Sequence, residues 1–458
     1  MVNGKVDRQR LGSDGIFKND VTKYMSQTKI TMPNVREGSV IDIRYSVESS
    51  FFMNIDEFKF QERIPVDKLH MTFSAPERFR YQTYHRGWPS IPVNQTMRDK
   101  NYTLLNQATQ GTMLGSRKGA GYSNVKLKEN VYVVEMEDIP AIQEEPYVGN
   151  IENYMAGIHF ELSSADAGIG MKNFSVTWDD VAKTIYKSDA FGAELQRTGY
   201  FEKDIDQLLD GIVDPMEKTQ RIYWYVLAKM NWNNTGGVFT RDGVRKAYRD
   251  NTGNAAEINL MLTAMLRHAQ IKAYPVLVST KAHGIPLFPT INGFNYVITV
   301  AELPEGVFLM DATNRNASMG ILGSQILNGN GKVIINETES AWIPLNSASA
   351  AVSQTLMNAS VNADMGVSGK AQQRLSGNFA LNYRNNFKNL AETEWVKRIE
   401  KMYPGVDFAN ISFENPDNPM ESVTMNFDFD TFDGVEEVEG NIYMSPLFFL
   451  QTKENPFK

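Results

Sequence analysis

The stretch NTGNAAEINLMLTAMLRHAQIKAYPVLVST, Asn251 to Thr280, constrains this chain more than any other. Gly253 marks a turn that opens directly into a helix, where Ile258, Leu262, Met265, Leu266 and Ala269 recur at helical spacing. Leu260, Met261 and Ala264 fill the remaining side, so the helix is apolar nearly all round and has to be buried. Strand-like runs follow it: KAYPVLVST, FNYVITVAEL, GVFLMDAT and GKVIINE. Upstream, TWDDVAKTIYKS is helical, and Asp214-Pro215 supplies an N-cap with proline at the first helical position. The helix it starts carries Met216, Tyr223, Leu227 and Met230 on one face. Helices followed by an antiparallel run of strands predict an α+β domain over residues 173–350.

On either side the pattern changes to β. TKITMPNV, SVIDIRYSVESS, DEFKFQERIPVDKLHMTFSAP, NVYVVEMEDIPA and YMAGIHFELSSA alternate with period two, which predicts an antiparallel β-sandwich over residues 1–172. Within it the polar, Gly-rich NQATQGTMLGSRKGAGYSNVK reads as a loop or hairpin excursion. Beyond residue 350 the stretch LNSASAAVSQTLMNASVNADMG marks the crossing into a β-rich third domain, residues 351–458. That domain is expected to hold strands at GNFALNYR, SVTMNFDFD and NIYMSP and one helix from Leu390 to Met402. The whole is thus expected to be an α+β multidomain chain. The polar start MVNGKVDRQRLG and the end FFLQTKENPFK read as trimmed, so both outer domains are expected to continue beyond the sequence.

Composition narrows the chemistry. Of 458 residues 42% are apolar and 22% charged, enough for each domain to build a core. No run reaches the roughly 18 apolar residues of a membrane span. The net charge of −8 argues against a nucleic-acid partner. The absence of cysteine excludes disulfides, thiolate metal sites and a cysteine nucleophile together. His70, His85, His159, His268 and His283 show no metal-ligand spacing, so no metal site is expected. GAGYSN, GIGMKN and NGNGKV complete neither the dinucleotide fingerprint nor the P-loop, and no G-x-S-x-G elbow is present, so no cofactor is expected.

A buried helix entered from a glycine turn, then FNYVITV, then FLMDAT, resembles the core of the transglutaminase-like superfamily, whose enzymes use a papain-type Cys-His-Asp triad. More narrowly, ITMPNVREGSVIDIRYSVESS and EFKFQERIPV resemble the first domain of three-domain bacterial envelope proteins in which such a core lies between β-rich domains. The resemblance implies a periplasmic or envelope location and a groove for peptide-like or glycan-linked ligands or a partner protein. A helix N-terminus suits a thiolate and an oxyanion hole because its N–H groups lack partners. Here the thiol position corresponds to Ala255, and the histidine position, 41 residues on, to Tyr296; of the triad only Asp311 remains. A methyl group cannot attack a carbonyl, and a phenol is a poor base near neutral pH.

The expectation is therefore a pseudoenzyme with no catalytic residue, whose degenerate triad positions are Ala255, Tyr296 and Asp311. Trp232, Tyr248, Asn254, Glu257, His283 and Asn295 are the candidates to line its cleft. Each has a plainer reading: Ala255 as a good helix former, Tyr296 as a core residue with a satisfied hydroxyl, Asp311 as an acceptor of local N–H bonds, Glu257 as a first-turn carboxylate. Two alternatives stay open, a hydrolase using the carboxylates Glu257 and Asp311 or His283, and a purely structural assembly or spacer protein.

Overall fold

The computed structural model describes residues 9–22, 25–41, 52, 55–106, 121–166, 170–174, 177–451 and 455. The chain divides into two compact units, Met1–Phe52 and Met53–Lys458. In the first, strands β1 (Ile16–Thr22) and β2 (Met25–Ile30) pair antiparallel, with Ile16 opposite Ile30. Most of SVIDIRYSVESS lies outside the described residues.

The second unit begins with β3 (Phe58–Lys59), β4 (Val66–Pro76), β5 (Phe79–Arg86), β6 (Asn94–Asn106), β7 (Gly121–Ile139), β8 (Gly157–Asp166) and β9 (Met171–Asn173). They form two antiparallel sheets, β3-β8-β5 with β9 added to β8, and β4-β7-β6. The alternation of β4, β7 and β8 turns one set of aromatics inward, and both sheets share one core. Phe73 of β4 meets Phe160 of β8 at 4.3 Å between ring centroids. Asn106 pairs with Gly121, so the Gly-rich excursion between β6 and β7 is a hairpin whose tip lies outside the described residues.

Helices α1 (Trp178–Tyr186), α2 (Gly192–Leu195), α3 (Glu202–Leu208) and α4 (Pro215–Lys229) follow, with Asp214 capping α4 through Glu217 N as its sequence implied. Then come β10 (Asn231–Trp232), α5 (Val244–Asp250), β11 (Thr252–Gly253) and α6 (Ala255–His268). A five-stranded antiparallel sheet closes the region, from β12 (Lys272–Val278), β13 (Tyr296–Leu303), β14 (Gly306–Met310), β15 (Asn330–Ile334) and β16 (Ser340–Pro344), ordered β14-β13-β12-β15-β16. Helix α6 packs on β12 and β13, and its side chains contribute to three separate apolar clusters. Residues 255–266 of α6 are all buried, the outcome its unbroken apolarity required.

The last region holds β17 (Val352–Val361), β18 (Val367–Ser376), α7 (Asn378–Asn386), α8 (Glu392–Met402), β19 (Val406–Glu414), β20 (Val423–Thr431), β21 (Val435–Val438) and β22 (Asn441–Met444). The first four strands form an antiparallel sheet ordered β17-β18-β20-β19, and β21 pairs with β22.

Two expectations need correction here. The linker-like VSQTLMNASV is the ten-residue strand β17; nearly all of it is exposed, so no buried face imposes period two on its sequence. GNFALNYR, expected as a strand, is helix α7. The alternation of Phe379, Leu381 and Tyr383 is accidental, because Ala380, Leu381, Tyr383 and Arg384 form the buried helical face while Phe379 is exposed.

Arg384 is the reason that face holds. Its guanidinium is buried and donates to four backbone carbonyls of one loop: Pro416 at 3.3 Å, Asn415 at 3.2 Å, Asn418 at 2.5 Å and Glu421 at 2.6 Å. Desolvation lowers its pKa, the cost of burying a cation there. Arg384→Met should fold with stability lower by about 2–4 kcal/mol, since the carbonyls lose charged donors they cannot replace with water. Urea unfolding followed by tryptophan fluorescence checks it; a change within experimental scatter would mean the carbonyls are solvated.

Candidate functional site

A helix start normally leaves N–H groups free for a ligand or a developing oxyanion. At the start of α6 the N–H groups of Asn254, Ala255 and Glu257 are taken. The parallel pairing of β10 with β11, Trp232 beside Gly253, carries the following loop over the helix N-terminus. Ala255 N–H donates to Thr235 O at 3.0 Å, and Trp232 Nε1 donates to the same oxygen at 2.9 Å. Gly237 N–H reaches Asn295 O at 2.6 Å, tying the loop to the residue before β13. Gly236 allows this close approach, since a Cβ there would stand 2.9 Å from Asn295 O.

The next polar layer is a lock. Asn254 and Glu257 form a reciprocal capping box, Glu257 N to Asn254 Oδ1 and Asn254 N to Glu257 Oε2, both 2.8 Å. Glu257 Oε1 also accepts the N–H groups of Arg241, Asp242 and Gly243 at 3.0, 2.7 and 3.1 Å. One carboxylate, 3% exposed, thus holds four backbone donors and fixes the entry into α5 as well as α6.

Below it Ala255, Tyr296 and Asp311, the positions that the sequence resemblance aligns with a triad, are gathered and sealed. Ala255 is 0%, Tyr296 3% and Asp311 2% exposed, and Ala255 and Tyr296 belong to the same apolar cluster. The Tyr296 hydroxyl donates to Asp311 Oδ2 at 3.3 Å and shares a 2.8 Å hydrogen bond with Thr313 Oγ1. Asp311 Oδ1 accepts from Asn259 Nδ2 at 3.0 Å and from Thr313 N at 3.1 Å. Asn259 spends its remaining capacity on Val297 O and Ala312 N, each at 2.9 Å. Burial pushes the Asp311 carboxyl above its ordinary 3.8, although every hydrogen bond it accepts pulls the other way. Burial, and after it the Asp311 charge, raise the Tyr296 phenol above its ordinary 10.0, which keeps it neutral.

The remaining cleft candidates do not form one wall. Trp232, Asn254, Asn295 and Tyr296 gather around the 231–237 loop, with the Trp232 and Tyr296 rings 6.3 Å apart. Asn295 Oδ1 accepts from Thr280 N and its Nδ2 donates to Thr280 Oγ1, so its amide is occupied. Tyr248 has other partners: its hydroxyl bonds Asp204 and Tyr225, and Lys229 Nζ stands 4.1 Å above its ring. His283 is exposed on a loop, its Nε2 donating to Asn292 O at 2.7 Å. That loop leans on the first β-sheet, with Phe288 stacked 4.4 Å from both Tyr84 and His159. Among the described residues no group of three or more His, Asp or Glu is placed to hold a metal ion.

The sequence reading missed Asn259 and Thr313, which bond Asp311 and Tyr296, and Thr263 and Thr299, whose hydroxyls bond each other and Asn259 O. The signal was present: Asn259 and Thr263 stand one and two turns beyond Ala255, on the same face of an otherwise apolar helix.

Two outcomes follow. In this cysteine-free chain, Ala255→Cys should be protected from an aromatic disulfide reagent, reacting at the rate of unfolding; immediate modification would mean an open cleft. The second concerns pH. A carboxyl whose folded pKa exceeds its unfolded one binds protons more tightly when folded, so its contribution falls as pH rises from 3.8 through the raised value. Asp311→Asn should remove that loss, and the difference in urea midpoint between variant and parent should shift in the variant's favour across that window. A constant difference would place the Asp311 pKa at its ordinary value.

No family model and no curated protein matches the chain. Among solved structures it is similar to a candidate protease from Parabacteroides distasonis ATCC 8503, with 11% identity, 82% of this chain and 68% of that one covered, and a TM-score of 0.39. It is also similar to a candidate cysteine protease from Cytophaga hutchinsonii, with 11% identity, 56% of this chain and 74% of that one covered, and a TM-score of 0.20. At these scores neither likeness carries weight, and the functional reading rests on the residues.

Proposed function

We propose that this chain is a non-catalytic, transglutaminase-like binding protein of the bacterial envelope, organised as residues 1–172, 173–350 and 351–458. The observation that carries it is the sealed Tyr296–Asp311–Thr313 cluster beside Ala255: the hydroxyl stands against the carboxylate that would orient an imidazole, and no side chain there is exposed. The alternative hydrolytic groups are spent. Glu257 holds four N–H groups, Asp311 holds three donors, and the His283 ring is bound to Asn292 O. The envelope setting rests on the sequence resemblance alone.

With the helix mouth closed, the ligand belongs elsewhere. The exposed face of the β17-β18-β20-β19 sheet holds an open groove of about 440 Å³ whose polar lining is Asn358, Lys370, Gln372, Asn410, Asn426 and Asp428, with Leu356, Ala371 and Phe427 contributing apolar surface. Gln372 Nε2 donates to Asn426 Oδ1 at 3.0 Å and Asn410 Nδ2 to Asp428 Oδ2 at 2.8 Å. Amides flanked by one cation and one carboxylate offer donors and acceptors in the alternation that sugar hydroxyls need. An oligosaccharide-type ligand is the reading this face favours.

A thermal-shift series tests it. A bound oligosaccharide raises the melting temperature increasingly with its excess, and Asn426→Ala with Gln372→Ala abolishes the rise. Peptide, ester and thioester substrates should show no turnover. Turnover lost in Asp311→Asn would establish the hydrolase reading instead, and silence across glycans and peptides would favour the spacer.

A further inference from the structure

Among the described residues no strand pairs with the outer side of β17, and β17 lacks the devices that keep open edges apart. An unpaired strand exposes a row of backbone N–H and C=O groups, and soluble proteins blunt it with charges, proline, bulges or shortness. Of the described edge strands with eight or more residues, β4 carries Asp67 and Lys68, β5 Arg80 and Arg86, β6 Arg98, Asp99 and Lys100, and β19 Asp407 and Glu414. The last is also bulged between Ala409 and Ser412, with Asn410 at φ 52°. Strand β17, VSQTLMNASV, is ten residues long, fully paired to β18 from Val352 to Val361, and has no charge, no proline and no bulge. Leu356, at its middle, is 66% exposed.

We propose that β17 is the interface with a second copy of this chain, the two strands meeting antiparallel about a two-fold axis at Leu356 and joining the two sheets into one of eight strands. A two-fold perpendicular to a sheet keeps each face continuous, so a residue can oppose only residues of its own face. Centred on Leu356, this register sets Leu356 against the partner's Leu356, and Gln354 against the partner's Asn358. The exposed apolar residue thereby covers its own counterpart, and amide meets amide. Without charge on the strand, two copies of a chain of net charge −8 can approach there with no like charges opposed.

The opposite face supplies a second argument for a copy over an unrelated peptide. An apolar cavity of about 80 Å³ lies there, lined by Thr355, Leu375, Tyr383, Trp395, Met402 and Tyr403 among others. The same register sets the partner's Met357 across from Thr355, at the wall of that cavity. A flexible thioether side chain is suited to filling such an irregular apolar gap. Leu356 and Asn358 also line the groove on the polar face, but the pairing uses the outer backbone edge of β17 and does not require a glycan there.

Cysteine scanning of the full chain tests it, because the parent has no thiol. Directly opposed strand residues lie about 4.5–5.5 Å apart between Cα atoms, within disulfide range. Leu356→Cys should oxidise to a covalent dimer in high yield, while Val213→Cys, at a still more exposed position off the strand, should not. Gln354→Cys alone should cross-link poorly, and Gln354→Cys with Asn358→Cys efficiently. By sedimentation at micromolar concentration the parent should be a dimer, and Leu356→Asp a monomer with unchanged circular dichroism. A monomeric parent, or a dimer in which Leu356→Cys cross-links no better than Val213→Cys, overturns the proposal. So does equal cross-linking of every strand position, which marks non-specific association.

Discussion

The first N–H groups of a helix have no intrahelical partner, and at the start of α6 water cannot reach them. An unsatisfied buried donor costs about 1–3 kcal/mol, so a helix buried throughout its first three turns is stabilised by every acceptor brought to that end. The chain supplies three of them: Thr235 O for Ala255, the Asn254 side-chain oxygen for Glu257 and the Glu257 carboxylate for Asn254. The 231–243 loop, the start of α5 and the approach to β13 are all placed by those bonds. The five-stranded sheet then packs on a helix whose position is already set.

The same demand accounts for the arrangement around Asp311. Asp311 is buried by β13, β14 and α6, and a carboxyl there needs donors whatever its history. Asn259, Thr313 and Tyr296 provide them, and in doing so leave it no free lone pair directed at solvent. Under the non-catalytic reading, the geometry that an imidazole would exploit is occupied by a phenol that only closes a hydrogen-bond circuit. The polar layer is fully engaged from the Glu257 lock down to Tyr223, whose hydroxyl donates to Asp311 O at 3.2 Å.

What the sequence disclosed depended on whether a side chain had a buried face to answer to. Helix α6, the Asp214 cap of α4, and strands β12 and β13 were legible because their apolar residues repeat with the period of the element. Glu257 was visible only as an acid in a first turn; that it serves three residues of a distant loop is a tertiary fact. Tyr296 could be read equally as core or cleft until the 231–237 loop was seen to cover it. Strand β17 was illegible because both its faces are exposed, which leaves the residues free of alternation. Helix α7 was misread because Arg384 looks like a solvent-facing residue by type, and a buried guanidinium satisfied by carbonyls leaves no local trace.

That arginine also couples distant pieces of chain in time. Its four acceptors lie 31 to 37 residues downstream, beyond α8 and the whole of β19. Until the β19–β20 connection arrives, docking α7 on β18 would bury a cation with nothing to accept its hydrogen bonds. The helix is therefore barred from settling early despite being next to its strand in sequence. Local contact gives it no head start, and this part of the chain is obliged to assemble, and to come apart, as one cooperative piece.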